Sequence, residues 1–336
     1  MSENDLFNSS SILIGNPTLK TVVYFLHVCL LPVVIVFGVI GNIANLYIFT
    51  RPSLYRSCSI YFIAGAINGL LLLLFGTTSR WLARSFQNLD ATQFSPFFCR
   101  FRAYMINIIY ELAPYFIACV SIDRYCSSSL NAKVRRLSAR PRLAYLVIFI
   151  IVLTTCLVFI HTPLNYTIID SSCRPLAGFY LQFYSLFVAV YYFIALILIL
   201  ISGLGTTYNV RVQRKRIQPM TVGVNRIDRK RQRSDGQLLL ILLVHVTFYA
   251  CLAMPFHILS IIAAIQPKFS INSNFLFIQD VTVITLNISQ AIDCYVYMLT
   301  ADLYRKELLI LIQKIFKRPQ IHPIQISNSM ELFARQ

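Results

Sequence analysis

Long apolar runs alternate along this chain with short polar segments. Stretches free of Asp, Glu, Lys and Arg extend from Thr21 to Thr50, Ser57 to Ser79, Leu143 to Ile169, Pro175 to Val210 and Gly236 to Pro267. Each exceeds the roughly 18 to 20 residues that, at about 1.5 Å of helical rise, cross a hydrocarbon core of about 30 Å. Two more runs have the same character with acids inside them. Ala103 to Ile122 is broken by Glu111, and Phe269 to Ala301 by Asp280 and Asp293. The pattern predicts an all-α membrane protein, a bundle of seven helices over residues 21–301. It is preceded by an outer segment 1–20 and followed by an amphipathic surface helix within 302–318 and a tail 319–336. The surface helix, from Tyr304 to Lys317, would turn Leu308, Leu309, Leu311, Ile312, Ile315 and Phe316 toward lipid.

Composition agrees. Hydrophobic residues make up 57% of the chain and charged ones 13%, against about 25% in soluble domains, which excludes an ordinary soluble enzyme. The formal net charge of +17 could serve nucleic acid or a membrane face, and its distribution decides. Of the 30 Lys and Arg residues, 23 fall in segments that alternate with those holding the other 7. Basic loops stay on the cytoplasmic side, so the amino end is expected outside, in a multi-pass protein of the plasma membrane. The basic loops and tail then face anionic lipid rather than nucleic acid. Residues 1–19 hold no Lys or Arg, so the first span is expected to act as the targeting signal itself. Nine cysteines form no CxxC, and the five histidines no HExxH; no metal, cofactor or enzymatic activity is expected. The sequons at Asn8 and Asn165 lie in outer segments and are candidate glycosylation sites. A third, at Asn287, lies inside the seventh span.

The third span carries the most chemistry. Cys99 precedes it, and Asp123-Arg124-Tyr125 closes it, with Arg124 25 residues after Cys99, or about 37 Å of helix. Cys173 is the other cysteine in an outer segment. Either the two form a disulfide that ties the third helix to the loop before the fifth, or they are independent thiols. With Gly41-Asn42 in the first span, Pro255 in the sixth, Asp293-Cys294-Tyr295-Val296-Tyr297 in the seventh and Tyr304-Arg305-Lys306 beyond it, the chain resembles the rhodopsin-like family of G-protein-coupled receptors, most closely its peptide-binding branch. The resemblance covers about residues 20–318.

That resemblance implies an extracellular ligand, a heterotrimeric G protein as partner, and an activation core of Asn42, Asn68, Tyr249, Pro255, Asp293 and Tyr297. Arg124 is expected to pair with Asp123 and Asp235 at rest, and release from Asp235 would let the sixth helix swing outward about Pro255. The alternative is a solvated pair of little weight. Asn68 and Asp293 stand where the family generally has aspartate and asparagine, an exchange expected of neighbours that satisfy each other; the alternative is two independent polar residues. Ala113 on the facing helix argues against a sodium site of the family type. The chain also departs from the family. Ala253 replaces the switch tryptophan, Cys294 a proline, and the fourth and fifth spans lack their usual tryptophan and proline.

The ligand-facing residues implied are Asn107, Tyr110 and Glu111 from the third helix, Phe256, His257 and Ser260 from the sixth, and Gln279, Asp280 and Val283 from the seventh. Ile106 occupies the aspartate position of amine receptors and Asn287 the lysine position of opsins, which argues against both ligand classes. Glu111 and Asp280 call either for a cationic group on the ligand or for partners within the bundle. An amidated short peptide bearing Arg or Lys meets the first alternative. Two rival readings stay open. One is a transporter relaying protons through Glu111, Asp280 and Asp293; the other is a receptor-like scaffold that no longer signals.

Overall fold

The computed structural model describes residues 17–52, 54–85, 91–138, 140–169, 172–217, 226–266 and 273–316. Of 214–217 and 226–239 it describes the backbone alone. Asn8 and the tail from 319 lie outside the described residues, and so does the side chain of Asp235.

Among the described residues, six helices are long and apolar enough to span a bilayer: Thr21–Phe49, Ser57–Ala83, Pro96–Ser127, Pro141–His161, Phe179–Gln213 and Leu240–Ile265. A bent pair, Asn274–Ala291 and Asp293–Thr300, meets at 52° and forms a seventh span. Each departure from regular helix has a local cause. In the first helix a π-turn over Leu26–Leu30 precedes Pro32, whose ring lacks the N–H that a regular turn needs. In the second, the π-turn Leu72–Thr77 is closed by a hydroxyl, with Thr78 donating to Leu73 O five residues back. The seventh bends at Ile292, and Asp293 opens its lower half, where a carboxylate faces the positive end of the helix dipole.

The third helix is the central strut, with 67% of its apolar window buried, whereas the fourth buries 17% and turns Tyr145, Phe149, Ile150, Leu153 and Leu157 outward. Lipid is the solvent for that face.

One expected boundary is corrected. The apolar run that began at Leu143 does not stay helical to Ile169. It ends in a 3-10 turn over Phe159–His161, ahead of Pro163 and a β-branched segment. Strands β1 (Tyr166–Ile169) and β2 (Ser172–Pro175) then pair antiparallel, with Ile168 opposite Cys173. Gly178, at φ 89°, turns the chain into the fifth helix, a conformation only glycine adopts without strain.

On the opposite side, a helix over Asp302–Phe316 follows the seventh span. It is anchored by the fully buried Tyr304, whose hydroxyl donates to Asn45 Oδ1 and to Cys294 Sγ. Leu308 and Leu311 pack on the bundle while Leu309, Ile310 and Ile312 stay exposed, an amphipathic surface helix as the sequence predicted. The side chains of Ile315 and Phe316 lie outside the described ones.

Candidate functional site

At the outer end of the third helix the disulfide forms. Cys99, in the first turn, is bonded to Cys173 of β2 with Cα atoms 5.5 Å apart. Arg100 Nε donates to Tyr166 O at 3.3 Å, a second tie between helix and hairpin. Asn165, at the hairpin's foot, uses its Nδ2 in a 2.9 Å bond to His161 O.

Below this roof the residues expected to face a ligand divide into two sets. One set is closed by internal bonds. Tyr110 Oη and Thr77 Oγ1 both donate to Asn287 Oδ1, at 3.0 and 2.7 Å, and Asn287 Nδ2 donates to Val283 O. Asn107 donates to Ala103 O and accepts from Tyr184. Ser260 donates to Phe256 O within its own helix; at Gln279 the backbone carbonyl, not the side chain, accepts from Thr282 Oγ1. Asp280 has Arg80 at 3.9 Å, so for this acid the internal partner is the one present. The other set is open. Glu111 is 2% exposed, and its Oε2 has no hydrogen-bond partner among the described residues. His257 is stacked on Tyr192, with centroids 3.8 Å apart and planes at 7°. Phe256 lies edge-on to His257 at 5.3 Å. His257 Nδ1 and Tyr192 Oη are likewise without partners.

The middle of the bundle holds a small cavity of about 20 Å³ between the first, second, third, sixth and seventh helices. His245, Asp293 and Tyr297 meet there. His245 Nε2 stands 3.0 Å from Asp293 Oδ1, a polar contact off the line of an ideal hydrogen bond, and Nδ1 lies 2.9 Å from Tyr297 Oη. One imidazole thus bridges the sixth helix to both ends of a turn of the seventh. Tyr297 is edge-on to Phe49 and Phe62, themselves stacked 4.7 Å apart. Tyr249, buried on the sixth helix, lies between His245 and Tyr192, with centroids 6.4 Å from each. The expected pairing of Asn68 with Asp293 is not found. Asn68 Nδ2 donates to Ile109 O at 2.9 Å, and Asp293 is taken by His245, because the two helices present these residues to different neighbours. Asn42 donates to Gly38 O and to Gln290 O, and so joins the first helix to the seventh. Thr285 Oγ1 reaches Leu252 O at 3.0 Å, joining the sixth and seventh helices one turn from Pro255.

At the inner end, Asp123 and Arg124 are both buried. Asp123 Oδ1 accepts from Ser138 Oγ at 2.8 Å. Ser138 ends a short helix, Ala132–Ser138, in the loop that follows. Arg124 Nη2 donates to the Sγ of the buried Cys58 on the second helix. Tyr125 is 41% exposed and lies on Gly205 of the fifth helix, where a Cβ would come within 2.6 Å of its ring; only glycine admits that approach.

His245, Tyr192, Cys58 and Ser138 were not among the residues expected from sequence. His245 carried the clearest signal, an ionisable group inside an apolar run four residues before Tyr249 and so on the same helical face.

The family model described as "7 transmembrane receptor (rhodopsin family)" matches residues 41–297. Among solved structures, that of squid rhodopsin superposes with a TM-score of 0.70, covering 88% of this chain and 87% of that one at 17% identity. No curated protein sequence matches. The likeness to the squid protein is one of fold. At the position where the sequence reading looked for a Schiff-base lysine, this chain has the Asn287 amide, engaged by Thr77 and Tyr110.

Proposed function

From a chain that belongs to the rhodopsin family of seven-transmembrane receptors, we propose the following function: a plasma-membrane receptor with its amino end outside, binding a short peptide and driving nucleotide exchange on a heterotrimeric G protein. The observation that carries this reading is the third helix, which joins a disulfide-pinned hairpin at one end to a buried arginine at the other.

A peptide fits the outer end for a physical reason. A two-stranded hairpin has unpaired backbone groups along its edges, and an extended peptide can add to such an edge while its side chains enter the bundle. At the inner end, Arg124 is held in by Cys58, and Asp123 is held by Ser138. The resting state is therefore closed to a partner. Outward movement of the sixth helix about Pro255 would part His245 from Asp293 and Tyr297 and open a cytoplasmic cleft beside Arg124. Asp235 is proposed as the further restraint at the foot of that helix. The basic residues of the sequence 211–233 and the helix Asp302–Phe316 suit an anionic membrane face.

A library of short amidated peptides applied to cells expressing the full chain, with calcium and cyclic-AMP reporters, tests the reading. A response that Arg124→Ala abolishes at unchanged surface expression is expected. Epitope tags that find both chain ends on the same side of intact cells would overturn the topology, and substrate flux without nucleotide exchange would favour a transporter.

A further inference from the structure

Ser138 closes the short helix Ala132–Ser138 in the loop after the third span, immediately behind Arg135, Arg136 and Leu137. Its hydroxyl donates to two oxygens of one residue, Asp123 Oδ1 at 2.8 Å and Asp123 O at 3.1 Å. A single O–H thus ties the loop back to the inner end of the third helix. Asp123 is buried, and Ser57 and Arg124 also act on its carboxyl. Around the serine the loop is cationic, with Lys133, Arg135, Arg136 and Arg140 all exposed.

Two arginines at the second and third places before a serine form a charge pattern that an arginine-directed protein kinase selects. Acidic groups in its groove take the guanidiniums while the hydroxyl reaches ATP. Such a groove holds its substrate extended. The helix Ala132–Ser138, of 7 residues, is too short to be stable by itself. Arg140, two residues beyond Ser138, is already extended at φ −101° and ψ 103°. The end of the segment is therefore drawn out by giving up the Ser138 contacts, without unwinding a span. A phosphate reverses what those contacts do. It brings a charge of about −1.5 to −2 and three acceptor oxygens in place of a donor. Asp123 then meets repulsion where it met a proton, and the added charge sits at the negative end of the short helix.

We propose that Ser138 is a phosphorylation site for an arginine-directed kinase, and that its phosphate releases the segment Ala132–Ser138 from Asp123. In the transfer, the bond from Ser138 Oγ to the γ-phosphorus of ATP forms as the bond from that phosphorus to the β,γ-bridging oxygen breaks. ADP leaves, and the hydroxyl proton passes to the kinase's base. The site adds regulation to the inner end of the receptor proposed above, and rests on that reading for its meaning in signalling but not for the phosphate itself.

The full chain, purified into lipid nanodiscs that leave both faces open, is treated with the catalytic domain of an arginine-directed serine kinase and Mg-ATP. Phosphate is then located by mass spectrometry, and deuterium uptake over 131–138 is compared before and after. Ser138 should be modified in the folded chain. Arg135→Ala with Arg136→Ala, both at exposed positions, should slow that transfer by about tenfold or more, as charged contacts to the kinase are lost. Uptake over 131–138 should rise on phosphorylation and stay unchanged around Tyr297. Ser138→Ala, which loses the tie without adding repulsion, should take no phosphate there and should loosen the loop less. Ser234, which follows Arg229-Lys230-Arg231-Gln232-Arg233, reports kinase access within the same chain. Phosphate on Ser234 with Ser138 bare, or on Ser138 only after the chain is denatured, overturns the site. Full phosphorylation of Ser138 with no rise in uptake overturns the release. The receptor reading fails separately. A chain that takes the phosphate and loosens, yet never drives nucleotide exchange, sinks the receptor alone; exchange driven by peptides in a chain whose Ser138 stays bare sinks the site alone.

Discussion

The outer and inner halves of this bundle treat a carboxyl within the helices in opposite ways. Asp293, in the inner half, meets an imidazole that also reaches Tyr297, and the three hold the sixth and seventh helices together. Glu111, in the outer half, is more deeply buried, and its Oε2 has neither an imidazole against it nor a hydrogen-bond partner among the described residues; Tyr192 Oη and His257 Nδ1 are likewise without one. Folding stability favours the first arrangement and is lowered by the second. On the function proposed above, the inner cluster would hold a resting state, and the outer half would be where a ligand enters. A protein retains groups that destabilise it where they serve recognition.

Substitutions can break or sharpen this contrast. The largest effect is expected from Asp293→Ala, which strands His245 in the core and should lower unfolding stability by about 3–5 kcal/mol, read as a drop in the denaturation midpoint. If Asp293→Ala is neutral, the inner cluster is not a restraint. Opening the disulfide with Cys99→Ser and Cys173→Ser should cost about 2–5 kcal/mol and loosen the hairpin. Hydrogen exchange should rise over Tyr166–Pro175 and stay unchanged around Tyr297. Glu111→Leu should act in the reverse direction, stabilising the unliganded chain by about 1–3 kcal/mol as an unpartnered buried acid is removed. Loss of stability there would place Glu111 in the same class as Asp293. The smallest effect compares two tyrosines. Tyr297→Phe should cost about 1 kcal/mol for its lost bond to His245, while Tyr192→Phe should be neutral or slightly stabilising.

Much of this was legible in the sequence. The seven spans follow from runs of apolar residues, because a bilayer sets one length for all of them. The opposite ends of the bundle at which Cys99 and Asp123-Arg124 lie follow from their separation along a single helix, which fixes depth; the bond to Cys173 was one of two alternatives, and the structure decides for it. What the sequence concealed was azimuth. Asn68 and Asp293 lie on different helices, and depth alone does not say which neighbour each one faces; Ile109 O and His245 proved to be their partners. Tyr192 was one aromatic residue among many in the fifth span, and only its lack of a hydrogen bond distinguishes it. The hairpin was hidden for another reason. Its first strand carries no charge and so prolonged an apolar run, although Pro163 and the segment Tyr166-Thr167-Ile168-Ile169 favour extended backbone. The ligand-facing residues were the least legible. Ser260 uses its hydroxyl within its own helix, and Val283 and Gln279 lend only backbone carbonyls to side chains nearby, whereas the tie between Tyr110 and Asn287 spans two helices.

The seventh helix bends by 52° with a cysteine, not a proline, just past the bend. A proline would have made the elbow permanent by deleting an amide. Cys294 keeps that amide, so no ring locks the elbow, and its angle is left to what the two half-helices meet around them.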